Sequence, residues 1–363
     1  MTIRMSANRM DMDDKNVVKA MLKDYGEAVN ALGAGGGTRD IDIRLGNVVT
    51  ATVSTSTNTF TFSNPSASGT ACSFTLFLTN GGSQTVNWPA AVNWADGTAP
   101  TLTVAGTDIL NFITTNGGSD WYGFSAGNIP PPIVTSGLIF NLDAGNTASY
   151  PGTGTAWSDL TGTYADSTLT DGPTFDSGNR GSIVFDGTND YATCAATSTS
   201  VTSNFTMEAW CKPTATQDSD SEATTGFGGI SGQRYVIGPN FVADPNAGSG
   251  ISVGTNSINV YEHSNGYIPA LLVYTASISA SDFSHVLVIY EANQPRLYLN
   301  GTLVRTGLTS TKTVNLSSNS IGSELTYGYF QGNIAVVRFY DRILEDEEVT
   351  QNYLALKDRF GLA

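Results

Sequence analysis

The sequence predicts a mostly β protein with an N-terminal helix, a small antiparallel β-sandwich or barrel, and a large jelly-roll β-sandwich closed by a short C-terminal helix. Three observations carry this expectation. From about residue 41 onward, short runs alternate apolar and polar residues, the period of a half-buried strand. Turn-forming pairs separate those runs at short intervals. Charged residues are only 13% of the 363, while Gly, Ser, Thr and Asn recur throughout, which suits short strands joined by many turns.

The helix is expected within residues 1–36. Asp13 or Asp14 caps it, and the run Gly33-Ala-Gly-Gly-Gly37 stops it. Between them Val18, Met21, Tyr25, Ala28 and Leu32 follow a 3-4 spacing, the seam of a coiled coil, and Val17, Leu22 and Val29 widen its apolar face. Two heptads are too short to hold a free coiled coil, and Gly26 weakens the helix further. The seam therefore calls for a partner: sister subunits, the following domain, or a different protein.

Residues 37–127 read as the small β-domain. Strands are expected at Asn47–Val53, Asn58–Phe62, Ser73–Thr79, Thr85–Trp88, Thr101–Val104 and Ile109–Ile113, with turns at Asn64-Pro65, Asn80-Gly-Gly82, Asp96-Gly97 and Asn116-Gly-Gly118. Trp88, Trp94 and Trp121 stand at strand ends, where they cap a core. The Pro-rich stretch 128–136 reads as a linker.

From Gly137 to the C-terminus more than ten further strands are expected, enough for a two-sheet jelly roll over 137–363. One hairpin is explicit: in Arg296-Leu-Tyr-Leu-Asn-Gly-Thr-Leu-Val-Arg305, Asn300-Gly301 supplies the positive φ angles of a type I′ turn. Leu344–Lys357 reads as the closing helix, with acids in its first turn and Lys357 and Arg359 at its end, as the macrodipole prefers.

Several of these segments resemble a known family. Gly137-Leu-Ile-Phe-Asn-Leu-Asp143, Trp157-Ser-Asp-Leu160, Ile183-Val-Phe-Asp-Gly-Thr-Asn-Asp-Tyr191, Phe205-Thr-Met-Glu-Ala-Trp210, Arg296-Leu-Tyr-Leu-Asn-Gly301 and Phe330–Leu344 occur in an order similar to the concanavalin A-like, laminin G-like family. That resemblance spans about 137–361 and implies two curved sheets that often bind sugars or proteins. Separately, the order Gly46-Asn-Val-Val-Thr50, Val86-Asn-Trp-Pro89, Trp94 with Gly97 and Pro100, Asp108 with Phe112, and Asp120-Trp-Tyr-Gly123 resembles a small β-module of phage tail and appendage proteins. The two together imply a structural virion protein of a tailed phage: a tail fibre or appendage showing a lectin-like domain to a host-surface glycan. A capsid-decorating head fibre is the first alternative, and a bacterial surface adhesin the second. The layout further implies a homotrimer that meets other virion proteins through its N-terminus.

The chemistry expected is binding, without catalysis. A glycosidase on this fold places paired carboxylates on one strand face, and no such spacing occurs. Glu208 stands alone in an apolar strand, Glu345–Glu348 starts a helix, and no G-x-S-x-G nucleophile signal is present. His285 opens an apolar strand and reads as a core residue. The polar aromatic loop Tyr261, His263, Asn265 and Tyr267 is one candidate ligand site, and Tyr327 and Tyr329 with Gln331 form another. No cofactor is expected. A loop Ca²⁺ site at Asp186 and Asp190 is open, against an ordinary turn in which Asp and Asn bond their own backbone. Gln217–Glu222 reads as a solvated acidic loop.

The net charge of -15 is uneven: residues 1–132 hold 7 Lys+Arg against 10 Asp+Glu, and the remainder 10 against 22. An acidic surface of this kind repels phosphate backbones, so nucleic acid is not an expected partner. The first residues lack the apolar stretch of a signal peptide, and no run of 18 apolar residues offers a membrane span. Cys72, Cys194 and Cys211 are an odd number without metal spacing. Synthesis in a host cytoplasm, followed by assembly into a virion, accommodates these features.

Overall fold

The computed structural model describes residues 5–6, 9–10, 26–95, 97–194 and 197–362. The chain divides into two compact units, Met1–Ile129 and Pro130–Ala363.

The N-terminal unit is built on one mixed sheet. Its strands run in the order Val29–Asp42, Val48–Ser63, Cys72–Thr79, Thr107–Thr114, Trp121–Ile129 and Val92–Trp94, with Val86–Asn87 also beside Val48–Ser63. An antiparallel domain was the expectation, but Val48–Ser63 pairs in parallel with Val29–Asp42, with Cys72–Thr79 and with Val86–Asn87. Two-residue alternation reports that one face is buried; it carries no information on strand direction. Direction is set instead by sharp bends within the strands. Asn30 Nδ2 donates to Asp42 O at 3.3 Å, and Arg39 Nη2 donates to Gly33 O at 2.6 Å, so Val29–Asp42 doubles back on itself. A Cβ at Gly36 would lie 2.0 Å from Thr55 O, so only glycine lets the two bent strands nest. The buried residues of this unit include Val49, Phe60, Phe74, Leu76, Phe112 and Trp121, with Trp88 and Trp94 packed against them.

The expected N-terminal helix is absent from the described part of its span, residues 26–36. Val18, Met21 and Tyr25 of the expected seam lie outside the described residues, whereas Ala28 is irregular and Leu32 sits in the strand Val29–Asp42. Four glycines between 33 and 37 give a helix no support. A ladder with Val48–Ser63 does give the segment partners, beginning at Val48, whose amide meets Ala28 O at 3.4 Å.

The C-terminal unit is a jelly-roll-like sandwich of two sheets. One runs Thr174–Asp176, Ser182–Asp186, Gln331–Tyr340, Phe205–Pro213, Ser284–Glu291, Gln294–Leu299, Thr302–Thr306, with Leu138–Asp143 also against Gln331–Tyr340. The other runs Ala156–Trp157, Ser167–Thr170, Tyr191–Thr193, Ser320–Ile321, Tyr235–Ile237, Asn246–Gly254, Ser257–His263, Ala270–Thr275, with Thr197–Thr202 and Thr313–Ser317 off that path. Phe205, Met207, Val288 and Val337 from the first sheet meet Ile237, Ile251, Ile258 and Val260 from the second.

Phe205–Pro213 and Gln331–Tyr340 are buried along nearly their whole length because both their faces are covered. The closing helix Asp346–Leu356 and the following turn Lys357–Phe360 lie on the outer face. There Phe360 stacks on Trp210 with ring centroids 4.5 Å apart. The helix start is tied by Glu345 N donating to Glu348 Oε2 at 3.0 Å, with Arg342 bidentate on the same carboxylate at 2.6 and 2.7 Å. Residues 130–136 are anchored to this unit. Gln351 donates to Pro132 O (2.8 Å), Val134 N to Asn352 Oδ1 (2.8 Å) and the Tyr340 hydroxyl to Val134 O (3.1 Å).

Candidate functional site

The strand Ser257–His263 sends Ile258 and Val260 into the core and turns Asn259, Tyr261 and His263 to the opposite face. That outer face is roofed by the loop 214–233. Tyr261 is fully buried under it: its hydroxyl donates to Asp220 Oδ2 at 2.8 Å and accepts from Gln233 Nε2 and Asn259 Nδ2, each at 3.2 Å. Gln217 is buried too, bonded to Ser257, and Glu222 holds Arg305 at 2.6 and 2.9 Å. The stretch 217–222, expected as a solvated loop, is therefore the tethered part of the roof.

The rest of the roof is a tight turn. A Cβ at Gly229 would lie 2.7 Å from both the Tyr235 hydroxyl and Ile268 Cγ1, so the backbone there rests directly on the sheet. This close seat leaves Phe227 and Ile230 on the outside, 60% and 47% exposed. They form the mouth of a cavity of ≈ 220 Å³ that is also lined by His263, Ser264, Tyr267 and Tyr327. Phe241, 47% exposed, stands edge-on to His263 with centroids 5.5 Å apart.

Each polar side chain of the lining is backed by a carboxylate. The Ser264 hydroxyl donates to Asp244 Oδ1 at 2.9 Å, and the Tyr267 hydroxyl to Glu262 Oε2 at 2.9 Å. Burial and the neighbouring Glu324 carboxylate push the Tyr327 phenol up. His263 Nδ1 faces Pro239 O at 3.2 Å and Glu324 Oε1 at 3.3 Å, which places the proton of a neutral ring on Nδ1 and leaves Nε2 an acceptor. Glu262 lies between the sheets, where it also accepts from Tyr290 (3.2 Å) and Ser310 (2.5 Å). Burial pushes its carboxyl up to about 7, against the pull of these three hydroxyl donors and of Lys312. Lys312 pairs with Asp244 and places its Nζ 4.7 Å from the Tyr267 ring centroid.

Of the residues expected to touch a ligand, the fold brings His263 at a strand end and Tyr267 and Tyr327 from two loops to one cavity. It does not bring the others. Tyr261 lies beneath the roof, Asn265 is exposed and accepts from Asp244 N at 3.1 Å, and the Tyr329 hydroxyl donates to Leu325 O at 3.2 Å. Phe227, Ile230, Glu262 and Glu324 were not anticipated. The signal for Phe227 was an aromatic set among glycines in a polar stretch, Gly226-Phe-Gly-Gly229.

Asp186 and Asp190 form a turn. Asp186 Oδ1 accepts from Thr188 N (2.7 Å) and Asn189 N (3.3 Å), and Asp190 Oδ2 accepts from Asp186 N (3.0 Å). Backbone hydrogen bonds hold the Asp186 carboxyl low, whereas burial raises that of Asp190. Among the described residues no group of three or more His, Cys, Asp and Glu is placed to hold a metal.

Glu208 belongs to a different arrangement. It is fully buried, takes Arg338 Nη1 at 2.9 Å and Asn352 Nδ2 at 2.8 Å, and lies 3.3 Å from His285 Nε2. Burial alone would raise its carboxyl, but Arg338 and His285 overcome that and hold it low. The group joins the central strands to the closing helix. Among the described residues no helix is long and apolar enough to cross a membrane.

No curated protein matches the sequence. Three solved structures are similar at low identity. Domain 4 of AbnA, an extracellular arabinanase of Geobacillus stearothermophilus, is 16% identical with a TM-score of 0.42, covering 61% of this chain and 100% of that one. The binding domain of Paraclostridial Mosquitocidal Protein 1 is 14% identical with a TM-score of 0.42, covering 60% of this chain and 52% of its own. That of botulinum neurotoxin serotype G is 17% identical with a TM-score of 0.41, covering 60% and 50%. Residues 186–350 match the family model described as the concanavalin A-like lectin/glucanases superfamily. That segment, which holds the central strands of both sheets and the residues of the aromatic cavity, is similar to a concanavalin A-like lectin/glucanase domain.

Proposed function

We propose that the C-terminal unit is a non-catalytic recognition module that binds a host-surface glycan through the cavity at Phe227, Ile230, His263, Tyr267 and Tyr327, and that the chain is a trimeric appendage protein of a phage virion. The observation that carries the recognition reading is the cavity itself. Aromatic and aliphatic side chains stand exposed at its mouth on a turn packed too tightly to collapse, with polar groups converging behind them. The family description, a lectin/glucanase domain, supports the ligand class. The appendage reading is supported by the sequence of residues 46–127, which resembles a phage β-module.

A glycan array probed with the full chain and with Phe227→Ala tests the ligand class. Selective binding that the variant loses by about tenfold or more is the expected result, and binding that ignores Phe227 would overturn it. Incubation with the array's best polysaccharide should yield no cleavage; turnover that Glu208→Gln or Glu262→Gln abolishes would overturn the non-catalytic reading. Antibody labelling of purified particles should mark the tail or a vertex appendage. Label spread over the capsid would make the chain a head fibre, and no label on particles would favour a bacterial surface adhesin.

A further inference from the structure

The hydrogen-bond directions around the cavity specify more than its shape. Ser264 and Tyr267 each commit the hydroxyl proton to a carboxylate behind the wall, namely Asp244 and Glu262. His263 directs its Nδ1 proton away as well, to Pro239 O and Glu324. What these groups can still offer a ligand is oxygen lone pairs and the faces of electron-rich rings. A phenol that donates to a carboxylate carries a more negative ring, which strengthens its attraction for a cation. The protein already uses one such ring in this way, since Lys312 Nζ lies 4.7 Å from the Tyr267 centroid. The neighbouring charge has the same sign. Lys312 is paired with Asp244, and among the described residues Glu324 has no lysine or arginine partner.

We infer that this cavity takes a positively charged hydrogen-bond donor, an ammonium group borne on a surface sugar or polymer, and rejects carboxylated and phosphorylated groups. The inference rests on the recognition reading above and adds the charge class of the ligand. A neutral sugar would find acceptors for its hydroxyl protons but bring no charge to match Glu324. An anion would meet the Glu324 carboxylate, with no lysine or arginine in the lining to receive it.

The test uses the full chain and four small probes at constant ionic strength: ethanolamine, glucosamine, N-acetylglucosamine and glucuronate, each followed by ligand-observed saturation-transfer NMR and calorimetry. Ethanolamine and glucosamine should bind about tenfold or more tightly than N-acetylglucosamine, with glucuronate silent. Glu324→Gln and Phe227→Ala should each remove the preference. Phe227 is exposed, so its variant should unfold like the parent and serve as the control for folding. Glucuronate or N-acetylglucosamine binding as well as glucosamine, and lost in Phe227→Ala, would overturn the charge inference while leaving the site standing. Binding of any probe that Phe227→Ala leaves untouched would remove the site as well. Silence of all four probes beside a positive glycan array would overturn the charge inference alone.

Discussion

Two buried glutamates in the C-terminal unit are held in opposite ways, and the difference is one of partners. Glu208 sits against a guanidinium, so its charge is kept and its carboxyl stays low. Removing one member of such a buried pair strands the other, typically at about 3–5 kcal/mol. Glu262 is enclosed by hydroxyl groups, which lower a carboxyl far less than a cation does, and burial takes it from the usual 4.5 to about 7. The pH consequence follows from proton counting. Between about pH 4.5 and 7 the folded chain holds this proton and the unfolded chain does not, so stability conferred at low pH is lost as pH rises through that window. A shift of this size corresponds to about 3 kcal/mol. Glu262→Gln keeps a hydrogen-bonding side chain without the titration. Its urea stability should therefore fall less than the parent's between pH 5 and 7.5; parallel curves would show that Glu262 is ionised throughout.

At the level of elements, what could be read in advance depended on how local each signal was. The turn at Asn300-Gly301 was legible because a two-residue hairpin loop needs positive φ at both positions, and the chain places them at 49° and 77°. A Cβ at Gly301 would also lie 3.1 Å from Tyr353 Cδ1 on the closing helix. Gly301→Val should destabilise the protein by about 2 kcal/mol from backbone strain alone, as read by chemical denaturation; no change in midpoint would show that the hairpin and helix move to accommodate it. The closing helix was legible for the same reason, since its capping and acid placement lie within one turn of chain. The strand Val29–Asp42 was not. Its spacing fits a helical seam as far as Leu32, and only its neighbour Val48–Ser63, a tertiary fact, makes it a ladder. Parallel pairing in the N-terminal unit was invisible for a related reason, because alternation is identical in both directions. The site was half legible. His263, Tyr267 and Tyr327 were named because aromatic and polar residues cluster in their loops. That two loops meet at one cavity, and that carboxylates from Glu262, Glu324 and Asp244 stand behind it, depends on strand order that no local pattern encodes.

Across the whole molecule the net negative charge is concentrated after residue 132, where 22 Asp and Glu stand against 10 Lys and Arg. Such a surface carries a negative potential that reaches about 10 Å at 0.1 M salt and about 3 Å at 1 M. It repels anionic polymers and raises the local concentration of cationic ones, the same sign of selectivity as the cavity. The two contributions separate by their salt dependence. Association with an immobilised amino-sugar polymer should weaken several-fold as salt rises from about 0.02 to 0.5 M, mainly through a slower on-rate. Short-range contacts within the cavity are screened far less. Glu324→Gln, which alters a side chain only 7% exposed, should therefore raise the dissociation rate at every salt concentration and leave the slope of the on-rate nearly unchanged. Neutralising an exposed acid away from the cavity, such as Glu291, should do the reverse. If Glu324→Gln and Glu291→Gln change the same rate by the same factor, the cavity has no role of its own, and attraction to the polymer is a property of the acidic surface alone.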